Sequence, residues 1–403
     1  MRRPPRVRMT GPLTLYVDGF VEALIGQDYT PLSARSQLEL MAHVSRWLAA
    51  NGLGPEGLTV SRVEEFLVSR RDLGHTHLLS PRGMTPLLEH LRALGVAPQP
   101  SPIEPPCAAE RLLAAFGQYL LRERGFAPST ALRYLGSVRP FLAEQRCGAD
   151  GELHLDDLSP SDITAFVLRE CNWRTNGSAK CAVTRLRCLL RFLHVTGRAP
   201  ELAWAVPSGP SWRLSSLPKG IERQQVAALR ASCDRRTTAG RRDFAILTVL
   251  VRLGLRCGEV AALELGDLDW RAGEVVVRGK GSREERLPLP VDVGEALAGW
   301  LRRGRPRCES TKVFIRLLAP HRGLTPSAVS SVVVSASVRA GLPHIAAHRL
   351  RHTAASEMLR AGAGLGDVGQ VLRHQSSLAT SLYAKVDHAA LLGLARAWPE
   401  SAQ

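Results

Sequence analysis

The sequence predicts a mainly α protein with one small β-sheet, laid out as two helical pieces followed by a larger mixed piece. Three observations lead there. Apolar residues recur at helical spacing along most of the chain. One short β-branched stretch near residue 275 reads as a hairpin instead. Two Pro-rich stretches, GVAPQPSPIEPPC (95–107) and VPSGPSWRLSSLP (206–218), resist helix formation and cut the 403 residues into pieces of domain size. The pieces run over about 10–97, 107–203 and 217–403.

The first two pieces read as duplicates, each a bundle of about four helices. Tyr29-Thr30-Pro31-Leu32-Ser33-Ala34 opens a helical run with Leu38, Met41 and Val44; Phe126-Ala127-Pro128-Ser129-Thr130-Ala131 opens one with Leu135, Val138 and Phe141, at an offset of 97. Val63 and Phe66 then match Ile163 and Phe166 at an offset of 100, and Leu87, Leu88, Leu91, Gly95 and Ala97 match Leu189, Leu190, Leu193, Gly197 and Ala199 at 102. Offsets that drift by loop-sized steps are the trace a duplicated domain leaves. The copies differ in charge. From Cys171 to Pro200 there are six Lys/Arg and no acid, whereas 73–98 holds Arg82, Arg92 and Glu89. Val183, Leu186, Leu190 and Leu193 share one helix face; Arg187 and Arg191 share another, with Lys180 upstream. Lys180, Arg187 and Arg191 are therefore candidate contacts to DNA phosphates.

Charge supports a polyanionic partner. Lys+Arg is 53 against 37 Asp+Glu, a formal net charge of +16, and residues 217–403 carry 28 basic and 17 acidic side chains. At 45% hydrophobic and 22% charged, the composition excludes wholesale disorder. There is no apolar run long enough to span a membrane, and no apolar stretch follows the basic N-terminus as in a secretory signal. The eight Cys include no CxxC pair and fit a reducing compartment, so a cytoplasmic, nucleoid-associated protein is expected.

In the third piece, Arg241–Leu255 reads as an amphipathic helix closed at Gly254. Glu274–Arg278 reads as a strand, Gly279-Lys280-Gly281-Ser282 as a turn, and Arg286–Leu289 as the returning strand. Four strings stand out: Leu253-Gly254-Leu255-Arg256-Cys257-Gly258-Glu259; Gly279-Lys280-Gly281 before Arg286-Leu287-Pro288-Leu289; His348-Arg349-Leu350-Arg351-His352-Thr353; and Leu372-Arg373-His374 running on to Tyr383. His348 and His352 lie one turn apart, as two zinc ligands would. The glutamate of HExxH is missing, however, and no third ligand has suitable spacing.

In this order the strings resemble the tyrosine recombinases, or phage integrase family, over nearly all of 217–392. The second piece is similar to that family's helical core-binding domain. Taken with the internal repeat, which makes the first piece a copy of the second, the resemblance implies two tandem core-binding-like (SAM-like) domains followed by a tyrosine-recombinase catalytic domain with a small three-stranded sheet. It also implies roles. Tyr383 attacks a DNA phosphodiester and forms a 3′-phosphotyrosyl bond. Arg256 and Arg351 hold the non-bridging oxygens, and Lys280 protonates the leaving 5′ oxygen. His348 assists proton transfer, His374 donates to the phosphate, and Glu259 supports Arg256.

This residue set suits that chemistry. Planar guanidiniums clamp the charge of the transition state, a Lys in a cationic pocket can supply a proton, and a Tyr hydroxyl needs cations and a base to become nucleophilic. No cofactor or metal is required. The expected partner is double-stranded DNA, bound by a homo- or hetero-tetramer on paired sites, with no membrane. A type IB-like topoisomerase shares this chemistry, although the motif set and the core-binding piece disfavour it. A catalytically inactive DNA-binding regulator is the other alternative, opposed by the intact set of six residues. The sequence departs from the family pattern at Arg373, where Gly is usual, at Arg283, and in carrying the extra first piece.

Overall fold

The computed structural model describes residues 4–5, 7–99, 107–147, 153–172, 176–207, 220–279, 284–373 and 383. They form two compact units, one made of 1–98 with 213–403 and the other of 99–212. The chain is mostly helical, with one three-stranded sheet. Among the described residues no helix is long and apolar enough to cross a membrane.

Residues 17–93 hold four helices: α1 (Val17–Gly26), α2 (Pro31–Ala50), α3 (Val60–Asp72) and α4 (Pro81–Ala93). Their starts follow from local chemistry. The Thr30 hydroxyl accepts from the Ser33 amide at 3.2 Å, and Pro31, which lacks a donor, takes the first helical position. Thr59 caps α3 through the Arg62 amide at 3.3 Å. Phe20, Met41, Val44, Phe66, Leu87 and Leu91 fill the core between them. This piece touches the last one directly: Ala319 packs against its core, and Glu89 pairs with Arg322 at 3.2 Å.

The second unit also has four main helices, α5 (Ala108–Gln118), α6 (Pro128–Ala143), α7 (Pro160–Asn172) and α8 (Asn176–Val195). Several residue pairs matched by the internal repeat are buried in both units, whereas Leu38 is buried and its match Leu135 only partly so. Met41 and Val138, Val44 and Phe141, Val63 and Ile163, Phe66 and Phe166, and the Leu triplets of α4 and α8 are all buried. Gly95 and Gly197 follow those helices with φ of 71° and 68°, the left-handed conformation that ends a helix.

The last piece comprises α9 (Arg223–Ala231), α10 (Thr238–Arg252), α11 (Cys257–Ala262), strands β1 (Leu268–Asp269), β2 (Glu274–Arg278) and β3 (Glu284–Pro288), then α12 (Val291–Arg303), α13 (Pro326–Arg339), α14 (Ala347–Arg360) and α15 (Leu365–Val371). The helix expected over 241–255 begins three residues earlier, because Thr237 caps the Gly240 amide at 3.0 Å. It ends three residues earlier as well, before Gly254 turns left-handed. β2 and β3 pair antiparallel with Val276 opposite Arg286, so the returning strand starts at Glu284 rather than Arg286. Arg278 anchors the hairpin by pairing with the buried Asp267 and with Glu284. β1, too short to show a strand pattern of its own, adds to β2.

α10 lies at the centre of this piece, with Ala245, Ile246, Leu247, Val249 and Leu250 all buried. Trp300 of α12 is fully buried in the same core and donates its indole N–H to the Val313 carbonyl at 2.9 Å. Trp300→Ala combines a large cavity with an orphaned carbonyl and should cost about 3–5 kcal/mol. The check is the shift in chemical-denaturation midpoint at constant slope; a shift within error would show that this core does not depend on the indole.

Candidate active site

The site is built on a tight reversal between α10 and α11. Gly254 has φ +59°, and a Cβ there would lie 2.6 Å from Leu372 Cδ2 and 3.3 Å from Ala354 Cβ. A side chain is thus opposed both by backbone conformation and by space. The reversal places Arg256 at the start of α11 in extended conformation. Glu259, three residues on and buried, accepts the Arg256 amide at 2.8 Å and its Nη1 at 2.6 Å. That ring fixes the Arg256 side chain, which remains 44% exposed at its outer end.

Arg351 comes from α14 and is buried. Its Nη1 donates to the Gly254 carbonyl at 2.7 Å and its Nη2 to the Leu372 carbonyl. Burial, then the Arg256 charge, pushes its pKa down to about 10, so it stays protonated at neutral pH. Arg256 Nη2 also reaches the Arg373 carbonyl, at 3.3 Å. Two guanidiniums from distant helices therefore grip consecutive carbonyls of one turn. α14 is itself tied to the start of this piece, because Thr353 Oγ1 accepts the Ile221 amide at 2.9 Å and Glu357 takes a bidentate pair from Arg223.

Tyr383 is 2% exposed, and its hydroxyl lies 2.7 Å from His352 Nδ1. Burial raises the phenol pKa, while Arg351 and Arg256 pull it down in part. His352 is shifted the other way. Burial first, then His348 and Arg351, hold its pKa below the ordinary 6.5. A neutral imidazole with Nδ1 unprotonated can accept the phenolic proton. His348 stands exposed one turn earlier, its ring 5.7 Å from that of His352.

Of the expected site residues, Arg256, Arg351 and Glu259 come together at the 371–373 turn, and Arg351 and Arg256 act electrostatically on Tyr383. Lys280 and His374 lie outside the described residues. The sequence presented His352 only as half of a zinc pair. The signal for its contact with Tyr383 was its place one turn after His348 and next to Arg351, but the contact itself depends on folding across 31 residues. In the second unit, Lys180 and Arg191 are exposed on α8. Arg187 differs from the expected open cationic face: it is half-buried and donates to the carbonyls of Ala203 at 3.3 Å and Val206 at 2.8 Å, closing α8 onto the following turn.

Arg256, Arg351 and Arg373 against one carboxylate leave an excess of positive charge around a partly open guanidinium. That arrangement suits a phosphate whose equatorial oxygens gain charge.

Residues 219–390 match the family described as the phage integrase family. Over 408 residues the chain is 40% identical to the putative integrase/recombinase y4rA of Sinorhizobium fredii (strain NBRC 101917 / NGR234), covering 100% of this chain and 98% of that one. It is 30% identical over 303 residues to the tyrosine recombinase XerC of Mycobacterium sp. (strain JLS), covering 70% of this chain and 96% of the relative. Among solved structures, a lambda integrase tetramer bound to a Holliday junction shares the fold with a TM-score of 0.53 at 15% identity, covering 78% of this chain and 87% of that one.

The His352 shift has a stability consequence. A histidine whose pKa is lower folded than unfolded favours the fold while neutral, so stability is greatest above pH 6.5 and falls as pH drops through that value toward the folded pKa. His352→Gln should flatten this component of the stability–pH curve. Denaturant midpoints between pH 7.5 and 5 measure it, and an unchanged slope in the variant would refute the assignment.

Proposed function

The chain belongs to the phage integrase family of tyrosine recombinases, enzymes that cut and rejoin DNA, and on that basis we propose that it is a site-specific recombinase acting through a 3′-phosphotyrosyl intermediate on Tyr383, in DNA integration/excision or transposition. The observation that carries this reading is the convergence of Arg256 and Arg351 on one turn, together with the 2.7 Å contact between the Tyr383 hydroxyl and a neutral-leaning His352.

In the proposed reaction, the Tyr383 oxygen attacks the scissile phosphorus and its proton passes to His352 Nδ1. Arg256 and Arg351 hold the non-bridging oxygens, where charge builds up. The bond from phosphorus to the 5′ oxygen breaks, and Lys280 protonates that oxygen. His374 donates a hydrogen bond to the phosphate, and exposed His348 assists proton transfer at the edge of the site. The phosphotyrosyl linkage conserves the bond for rejoining, so strand exchange needs no cofactor or outside energy source.

We assign DNA tracking to the 107–203 domain, led by Lys180 and Arg191 on α8, with Arg187 positioning the helix. The 10–97 domain is read as its duplicate, adapted to protein contacts by loss of basic residues. The tetrameric lambda integrase on a Holliday junction supports a tetramer on paired sites for this chain too. The chain is taken to act on nucleoid DNA in the cytoplasm.

Tyr383→Phe removes the hydroxyl and keeps the ring. On a nicked suicide substrate made from the chain's selected binding site, the wild type should accumulate a covalent adduct and the variant none, with DNA binding unchanged. An adduct in the variant moves the nucleophile elsewhere. Arg351→Lys loses the planar fork that spans Gly254 and Leu372. It should slow cleavage by about 10²–10³; near-normal cleavage would make that cation structural.

A further inference from the structure

Arg373 stands out in the backbone and again in its side chain. It is one of three described non-glycine residues with positive φ, at 54°. Glycine adopts that conformation without strain, and glycine is usual at this place in the family, so an arginine here calls for a compensating interaction. The side chain has one. It is only 4% exposed; Nη2 pairs with Glu259 Oε2 at 2.8 Å and Nη1 donates to the Val371 carbonyl at 2.8 Å. Glu259 is therefore shared. Its carboxylate serves Arg256 through two donors and Arg373 through a third.

The charge count shows what the sharing does. With Arg256 as sole partner, the buried carboxylate would cancel the guanidinium that has to meet the phosphate. With Arg373 added, the trio carries one net positive charge, and Arg256 holds the exposed end of it. Burial pushes the Glu259 carboxyl up, but Arg373 and then Arg256 more than reverse this, so it remains ionised and keeps both arginines in place. We propose that Arg373 is a positioning residue for strand cleavage: it neutralises Glu259 and so leaves the charge of Arg256 uncompensated for the scissile phosphate. This rests on the recombinase reading of the site.

The test is single-turnover cleavage of the suicide substrate by the full chain at saturating DNA. Arg373→Gly keeps the turn conformation and the carbonyl that Arg256 uses, so the fold should survive. Cleavage should slow about 10-fold or more, with DNA affinity within about threefold of wild type. Arg373→Lys should recover most of the rate by restoring the charge. In the double variant Glu259→Gln with Arg373→Gly, the loss caused by removing Arg373 should largely disappear, because there is no carboxylate left to neutralise. Wild-type cleavage by Arg373→Gly would overturn the proposal. So would an equal loss in both Glu259 backgrounds that follows a lowered melting temperature, since that pattern marks a purely structural residue. If the wild type forms no adduct, or Tyr383→Phe still does, the recombinase reading itself fails and this inference with it. If those controls behave and the arginine variants do not, only the inference falls.

Discussion

The turn at residues 371–373 is the point on which the site depends. Its carbonyls accept Arg351 at Leu372 and Arg256 at Arg373, while the Arg373 side chain returns to Glu259. A backbone carbonyl is a fixed acceptor, so two long flexible cations gripping neighbouring carbonyls lose most of their freedom before any DNA arrives. That order is established on folding rather than during reaction, which is the condition for charge stabilisation to lower a barrier.

The rest of the last piece makes that turn possible. Gly254 lets α10 reverse into α11 against Leu372, a contact that leaves no room for a Cβ. α10 is itself immobilised by burial in the core that Trp300 completes. α14 supplies Arg351 and His352 from adjacent positions, one directed to the carbonyl grip and the other to the Tyr383 hydroxyl. The same helix is tied to the start of the piece through Ile221 and Arg223.

Burial and neighbouring charge together set each residue's state: they oppose one another at Tyr383 and Glu259 and act in the same direction on His352. Burial lowers the Arg351 pKa to about 10, far enough above neutrality for the charge to persist. The same burial keeps His352 neutral and Tyr383 protonated, leaving a donor and an acceptor 2.7 Å apart. One carboxylate among three guanidiniums prevents the cluster from being purely repulsive.

The sequence by itself determined the helical character, the hairpin near residue 275 and the internal repeat, because helical and strand periodicities, Pro breaks and Gly stops are local properties. It also marked Arg256, Glu259, Arg351 and Tyr383, through motifs that are short and ordered along the chain. What it left to the tertiary structure were relations between distant residues. His352 meets Tyr383 across 31 positions, and Arg373 meets Glu259 across 114. Arg187 looked like part of an open cationic face by helical spacing, yet its guanidinium turns onto carbonyls of a later turn. β1 is two residues long and exists only because β2 offers an edge for it. In each case a hydrogen-bond partner was supplied by chain closure, and periodicity carries no information about which remote group will be there.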